Sequence, residues 1–335
     1  MDDSHRTMLE GLSVAQIRGL RRLADIIERM HRMLITGGCG FIGSALCREF
    51  GSGHTEVFVI DDLSYGSRKF VSIDDDHFFK QDILDREAIT RIFHEVRPET
   101  VLHLAAIHFI PHCNQYPYQS ANINLLGTMN VLDAAKACGS VKKVLFASTA
   151  AVYPITDEAV AETHAPGPLD VYGMSKLVGE RLCREFHLET GIATVVCRFF
   201  NAFGPNETNP HLIPEIQKQV LAGLRTIKLG NLDPKRDFIH TFDMASAMRA
   251  LIERFRSGYD IFNLGRGEEY SVREIVAAFA KELGEEIEIE VDPARVRKVE
   301  RMHLLADVSK LKAFTGWAPK VSLAEGIRTL VREGA

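Results

Sequence analysis

The run TGGCGFIG at residues 36–43 constrains this chain more than any other segment. It follows a short apolar stretch, Met33–Thr36, that reads as a strand, and it opens a helix expected over Phe41–Phe50. Gly37, Gly40 and Gly43 are spaced G-x-x-G-x-x-G, with Phe41 and Ile42 between the last two. A chain turning this tightly from strand to helix has no room for β-carbons. The first N–H groups of the helix stay free, with the positive end of the helix dipole behind them. The result is an anion cradle shaped for the pyrophosphate of a dinucleotide. A glycine triplet alone is weak evidence. Here a second buried strand, Glu56–Ile60, follows, and Asp61 stands at its end, 18 residues after Gly43. A carboxylate there accepts hydrogen bonds from the adenosine ribose and repels a 2′-phosphate, which favours NAD over NADP. Arg68 and Lys69, a few residues on, work against that preference.

Beyond this turn, strand and helix alternate. Short apolar strands are expected at His77–Lys80, Val101–Leu104, Lys143–Ser148 and Ile192–Phe199, and helices at Asp85–His94, Ala121–Ala137 and Tyr172–Glu189. Repeated β-α units with uniformly apolar strands predict a parallel sheet covered on both faces, an α/β, Rossmann-type doubly wound architecture. It is expected over residues 32–200, with about 237–265 returning to it. Prolines at 205, 210, 214 and 234 break the pattern. Residues 201–236 and 266–335 are therefore expected to form a smaller C-terminal α/β substrate lobe. Residues 1–31 read separately, as an amphipathic helical extension with Leu9, Leu12, Ile17, Leu20, Leu23, Ile27 and Met30 mostly on one stripe.

The composition excludes several classes. A net charge of −5 supplies no global basic field for nucleic acid. The six cysteines form no C-x-x-C pair, which argues against zinc and for free thiols in a reducing compartment. No metal site is expected. With no apolar run of membrane-spanning length and no secretion signal, the expected location is the cytoplasm.

Tyr172 and Lys176 are four residues apart on an expected helix and so share a face. A free phenol is too weak an acid to serve as a base near neutrality. A neighbouring ammonium favours the phenolate, and the pair can then take a proton from a hydroxyl. The strand ending in Ser148-Thr149 puts a further hydroxyl at the C-terminal edge of the sheet, where open α/β sheets bind ligands.

With these residues in view, the chain resembles the extended short-chain dehydrogenases/reductases, specifically the NAD-dependent nucleotide-sugar epimerases and dehydratases, and is nearest to the sugar 4-epimerases. The resemblance covers nearly everything after residue 32. It rests on TGGCGFIG, VIDDLSYG (59–66), QDILD (81–85), HLAA (103–106), NINLLGTMNVLDAAK (122–136), STAAVY (148–153), YGMSK (172–176), RFFNAFGP (198–205), RDFIHTFD (236–243) and GWAP (316–319). It implies that Asp82 and Ile83 lie beside the adenine and that Leu104, Ala105 and Ala106 run along the cofactor. Thr149 would hold the reacting hydroxyl, Tyr172 would be the base, and Lys176 would bind the nicotinamide ribose. Asn201 would touch the sugar, and Arg236 and Arg297 the diphosphate. The Arg297 segment reads Arg-Lys-Val-Glu where the family has Arg-Pro-Gly-Asp/Glu. His108 stands where many 4-epimerases have lysine, as a substrate contact or as loop packing. The resemblance also implies a homodimer through a four-helix interface built from 121–137 and 172–189.

The two residues after Thr149 bear on the reaction. Dehydratases of this family carry an acid–base pair there, and this chain has Ala150 and Ala151, which transfer no proton. The expected activity is 4-epimerisation of a nucleotide-diphosphate sugar through a 4-keto intermediate. Alternatives are a decarboxylase, a C3/C5 epimerase (with Cys113, His108 or His112 as a further base), a dehydratase, a sugar oxidoreductase, and a non-catalytic NAD-sensing scaffold.

Overall fold

The computed structural model describes residues 31–51, 53–296 and 301–333, and no helix among them is long and apolar enough to cross a membrane. The helix expected over residues 1–31 lies outside the described residues, except for His31. That residue opens the first strand instead, where its ring reaches Glu99 and Thr100 at 2.9 Å each.

Among the described residues there are twelve strands: β1 (His31–Thr36), β2 (Thr55–Asp61), β3 (Phe78–Lys80), β4 (Thr100–His103), β5 (Lys143–Thr149), β6 (Ala193–Phe199), β7 (Asn201–Phe203), β8 (Thr226–Leu229), β9 (Lys235–His240), β10 (Tyr259–Leu264), β11 (Glu269–Ser271) and β12 (Glu288–Val291). The α-helices are α1 (Phe41–Gly51), α2 (Arg86–Val96), α3 (Ile110–Gln115), α4 (Pro117–Ala121), α5 (Thr128–Cys138), α6 (Val171–Thr190), α7 (Leu212–Leu221), α8 (Thr241–Arg254), α9 (Val272–Leu283), α10 (Ser309–Thr315) and α11 (Leu323–Glu333).

Seven strands form one parallel sheet in the order β10-β6-β5-β4-β1-β2-β3. Its strands carry apolar side chains toward both faces, so each face needs a cover. On one side α1 and α8 pack through Leu46, Phe50, Met244, Met248 and Leu251. On the other, α2, α5 and α6 pack through Ile89, Phe93, Val131, Ala135 and Cys183. This is a Rossmann-type doubly wound fold. The chain crosses the sheet in opposite directions from β1 and from β4, which opens a crevice between their C-terminal ends.

A second body has its own core of Ile213, Ile216, Ile227, Phe238, Ile275, Phe279 and Ile327. It holds a three-stranded sheet, β11-β9-β7, and the pair β12-β8, with α7, α9 and α11 against them.

Two details depart from the sequence reading. The helix expected over 121–137 is present but starts earlier and is not regular, because α4 runs through a π-helical turn, Asn122–Gly127, into α5. The stretch 266–335 is not all lobe. Leu311 on α10 is buried in the core beneath the large sheet, and Trp317 packs there too, its indole N–H donating to Ser246 Oγ at 2.8 Å. The physical reason is that β10 edges the large sheet and Phe262 needs cover, which α10 supplies through Phe314.

Candidate active site

The crevice between β1 and β4 opens into a cavity of about 1130 Å³ that extends under the second body. A single drug-sized ligand typically takes about 300–1,000 Å³. The candidate catalytic, cofactor and substrate residues named from the sequence line this cavity, Arg297 excepted, which lies outside the described residues; of the three candidate further bases, His108 lines it and His112 and Cys113 do not.

The glycine turn is tight for steric reasons that can be read atom by atom. Gly37 has φ +73°, and a β-carbon there would lie 2.8 Å from the backbone nitrogen of Ala105. One on Gly43 would lie 2.1 Å from the Gly37 carbonyl oxygen. The loop 104–106 therefore rests directly against the turn. Asp61 holds the other side: its carboxylate accepts from the Cys39 N–H at 2.9 Å and from the Leu63 N–H at 2.8 Å. Burial pushes the Asp61 pKa above the ordinary carboxylate value, although those two N–H groups pull it down. Arg68 is committed elsewhere. It donates to the Val71 and Ile73 carbonyls, pairs with Asp75 at 3.3 Å and covers the Phe78 ring. Asp82 is exposed, with Oδ1 accepting from the Leu84 N–H at 2.8 Å, while Ile83 is buried against Gly127. The cradle that β-carbons would fill, backed by a carboxylate at the end of β2, fits a dinucleotide.

Thr149 ends β5 and caps the short 3-10 turn Ala150–Val152, its hydroxyl accepting from the Ala151 N–H at 3.1 Å. Helix α6 begins at the N-cap Asp170, whose carboxylate accepts from the Gly173 N–H at 2.7 Å. Two glycines let α6 lie close on β5. A β-carbon at Gly173 would sit 2.5 Å from the Ala151 carbonyl oxygen, and one at Gly179 2.4 Å from the Phe146 ring. This contact brings the Tyr172 hydroxyl into hydrogen bonding with Thr149. Lys176, one turn on, is 3% exposed, with its ammonium 4.9 Å over the Phe146 ring. Burial lowers the Lys176 pKa from 10.5 to about 8. The Tyr172 phenol is pushed up by burial, opposed by the Thr149 bond.

Asn124 ties this helix to the loop after β4. It sits in the π-helical turn and bonds Ile107 twice, Oδ1 accepting from the N–H at 2.8 Å and Nδ2 donating to the carbonyl at 2.9 Å. Nδ2 also donates to Ser175 Oγ at 3.0 Å, next to Lys176. His108, the next residue along the loop, faces the segment 204–211. There Glu207 accepts from the backbone of Asn209 at 2.9 Å and meets the His211 ring at 3.2 Å. Arg236 lines the far end of the cavity with Arg301, whose own carbonyl accepts from Arg236 at 2.6 Å. The Arg301 guanidinium donates to the carbonyls of Tyr153 and Pro154 at 3.0 Å each.

The sequence reading missed Asn124, Glu207, Asn209 and Arg301. An acid between Pro205 and Pro210, in a loop following the RFFN strand end, was the available signal for Glu207. Among the described residues no group of three His, Cys, Asp or Glu side chains is arranged to hold a metal.

Comparison with known proteins agrees with this geometry. A model of the GDP-mannose 4,6 dehydratase family matches residues 34–330. The GDP-6-deoxy-D-mannose reductase of Pseudomonas aeruginosa is 29% identical, over 90% of this chain and 97% of its own. The UDP-glucose 4-epimerase of Bacillus subtilis is 32% identical, over 88% and 94%. Among solved structures, the UDP-glucose 4-epimerase of Thermus thermophilus in complex with NAD is 33% identical and superposes with a TM-score of 0.81, covering 90% of this chain and 98% of that one. A parallel seven-stranded sheet with its glycine cradle, a Tyr-Lys helix laid against a threonine, and a family match across nearly the whole chain lead to one conclusion: the chain belongs to the GDP-mannose 4,6 dehydratase family of extended short-chain dehydrogenases/reductases, the nucleotide-sugar epimerases and dehydratases.

Proposed function

We propose that this chain epimerises a nucleoside-diphosphate sugar at C4, using NAD bound along the glycine turn and regenerated within each turnover. The observation that carries the reading is the Thr149–Tyr172–Lys176 set, with Ala150 and Ala151 beside it in the cavity wall. Gly37, Gly40 and Gly43 with Phe41 and Ile42 would hold the pyrophosphate, Asp61 the adenosine ribose, and Asp82 and Ile83 the adenine. Leu104, Ala105 and Ala106 would flank the rest of the cofactor, and Lys176 the nicotinamide ribose. When bound, NAD would supply the hydride acceptor for C4 oxidation and the donor for re-reduction. Thr149 holds the C4 oxygen through its hydroxyl while Tyr172 removes the proton and later restores it. Burial pushes the Tyr172 phenol up, and the Lys176 ammonium one helical turn on would favour the phenolate against that effect. Arg236 and Arg301 both line the cavity and would supply positive charge to the diphosphate. Arg297 remains a proposed partner there, as does Asn201 toward the sugar. Alanine at 150 and 151 leaves elimination of water without a proton donor and leaves room for the keto sugar to turn.

Exposed apolar side chains support the proposed homodimer. Tyr118, Leu126 and Met129 on the 117–138 segment, and Met174, Val178 and Leu188 on α6, are 38–85% exposed. A two-fold pairing of these helices would bury them.

The reading is tested with a panel of UDP-, GDP-, ADP-, CDP- and dTDP-sugars. The expected product is an isomer of unchanged mass, with no net NADH formed or consumed. Loss of water or carbon dioxide overturns it. Stoichiometric NADH or NADPH consumption with a 4-keto sugar favours a reductase, an outcome the Pseudomonas relative makes worth measuring.

A further inference from the structure

The cavity lining also holds a polar chain that the proposed epimerisation does not use. Glu207 Oε1 accepts from the Asn209 backbone N–H at 2.9 Å and lies 3.4 Å from the Asn209 side-chain nitrogen. That same nitrogen lies 3.1 Å from His108 Nε2. The Glu207 side chain is 6% exposed and Asn209 7%. An amide nitrogen can only donate, so Nε2 of His108 must accept and carries no proton. Turning the amide over would set its carbonyl oxygen against the Glu207 carboxylate, so Glu207 fixes the direction of the whole chain. A neutral imidazole has one proton, and here it falls on Nδ1. That atom has no protein partner among the described residues, and His108 lines the cavity.

The groups around the ring act consistently. Burial lowers the His108 pKa to about 4; the Glu207 charge pulls it up, and the charges of His211 and Lys176 push it down. Burial alone would raise the Glu207 pKa. The His211 ring and the Asn209 N–H reverse that, and the pKa ends below the ordinary value, so the carboxylate stays charged. The ring is also held rigidly. The two Asn124 bonds to Ile107 and the Asn124 bond to Ser175 fix the loop bearing His108 to the helix bearing Tyr172 and Lys176.

We infer that the Glu207–Asn209 pair locks His108 as a neutral Nδ1–H donor, and that this N–H grips an uncharged oxygen of the sugar, so that the pocket selects neutral sugars over uronic acids. The sugar contact rests on the nucleotide-sugar reading above; the tautomer does not. A lysine at this place would offer a full charge to a carboxylate. A neutral donor offers none, and the Glu207 carboxylate beside it repels one.

The test has two arms on the full chain with NAD bound. In the first, histidine is labelled with ¹⁵N, His108 is assigned by its disappearance in His108→Gln, and the tautomer is read from long-range ¹H–¹⁵N correlations near pH 7. The expected result is a neutral ring protonated at Nδ1. In Asn209→Asp the proton should move to Nε2, or the ring should become charged, because a carboxylate can only accept. Asn209→Ala, which keeps neither role, should give mixed tautomers. An Nε2–H or charged ring in the unaltered protein overturns the inference with the nucleotide-sugar reading intact. In the second arm, UDP-glucose and UDP-glucuronate are compared by calorimetry. The unaltered chain should prefer UDP-glucose, and His108→Gln should weaken its binding by roughly two- to tenfold, the span of one ordinary hydrogen bond. His108→Lys should shift the ratio toward the glucuronate by at least about tenfold, a change of about 1.4 kcal/mol. An unchanged ratio in both variants overturns the sugar contact. If neither binds the unaltered chain, the same comparison is made with the hexose and hexuronate of whichever base the panel above selects; if no nucleotide sugar of that panel binds, the contact falls together with the nucleotide-sugar reading, whatever the tautomer.

Discussion

Glu180 grips Arg198 with both carboxylate oxygens, at 2.9 Å to Nε and 2.7 Å to Nη2, and each side chain is 3% exposed. The pair lies directly behind the strand end that carries Thr149. Ser148 Oγ donates to Glu180 Oε1 at 2.5 Å, and the Arg198 guanidinium covers the Tyr153 ring at 4.8 Å. Removing one partner strands a buried charge. Glu180→Ala is expected to cost about 3–5 kcal/mol in urea unfolding, whereas Glu180→Met with Arg198→Met should recover most of that loss.

Acid should destabilise the fold through His103. Its ring is wedged between Thr36 and Thr128, at 2.7 and 2.9 Å from their hydroxyls, and is 1% exposed. Burial, with Lys176 adding to it, lowers the pKa from 6.5 to about 3. The unfolded chain therefore takes up a proton as pH falls through 6.5, and the native chain does not until about 3. The stability contribution is complete above pH 6.5 and is lost progressively toward pH 3. The urea midpoint should fall over that window, and less steeply in His103→Gln. His240, lowered to about 4 by burial, leaves a residual slope of the same sign.

Gly43→Ala places a methyl against the Gly37 carbonyl oxygen, a backbone atom that cannot rotate away. The expected outcome is a stability loss of about 1–3 kcal/mol. The variant should also purify with little NAD, measured as cofactor per chain.

Asp61→Asn removes the charge that opposes a 2′-phosphate and leaves one of the two backbone donors, Cys39 or Leu63, facing an amide nitrogen. Calorimetric affinity for NAD should fall, and the NADP-to-NAD ratio should rise by roughly tenfold, about 1.4 kcal/mol.

Tyr172→Phe keeps the ring and loses the proton. Initial rates with the preferred nucleotide sugar should drop by about 10²–10⁴, with cofactor content unchanged. A non-catalytic NAD-sensing protein would show no dependence on this hydroxyl.

Much of this was legible because it depends on short-range spacing. The glycines, Asp61 and the Tyr172–Lys176 step each follow from a turn, a strand end or a helical repeat, and the apolar strands identify a sheet covered on both faces. What stayed hidden depends on distant segments meeting. Nothing local pairs Glu207 with His108 across about 100 residues of chain, since |i−j| is already 101 for the Asn209 contact. Arg301 reads as one basic residue among several, and only the backbone bonds of Lys235 and Asp237 on β9 to Met302 and Leu304 bring it to Arg236. The return of α10 to the large core was illegible for the same reason, because Phe262 and Phe314 are too far apart in sequence to reveal each other.

The π-helical turn at Asn122–Gly127 carries one residue more than a regular helix would need, and that surplus sets the phase of everything beyond it. Deleting a single residue there would let α4 and α5 fuse into an unbroken rod and rotate one flank by about 100° relative to the other. Asn124 would swing off the Ile107 loop, or else Val131 and Leu132 would leave the sheet face. A shortened chain of this kind would keep the composition and propensity of a better helix while disengaging the bolt between the two walls of the cleft.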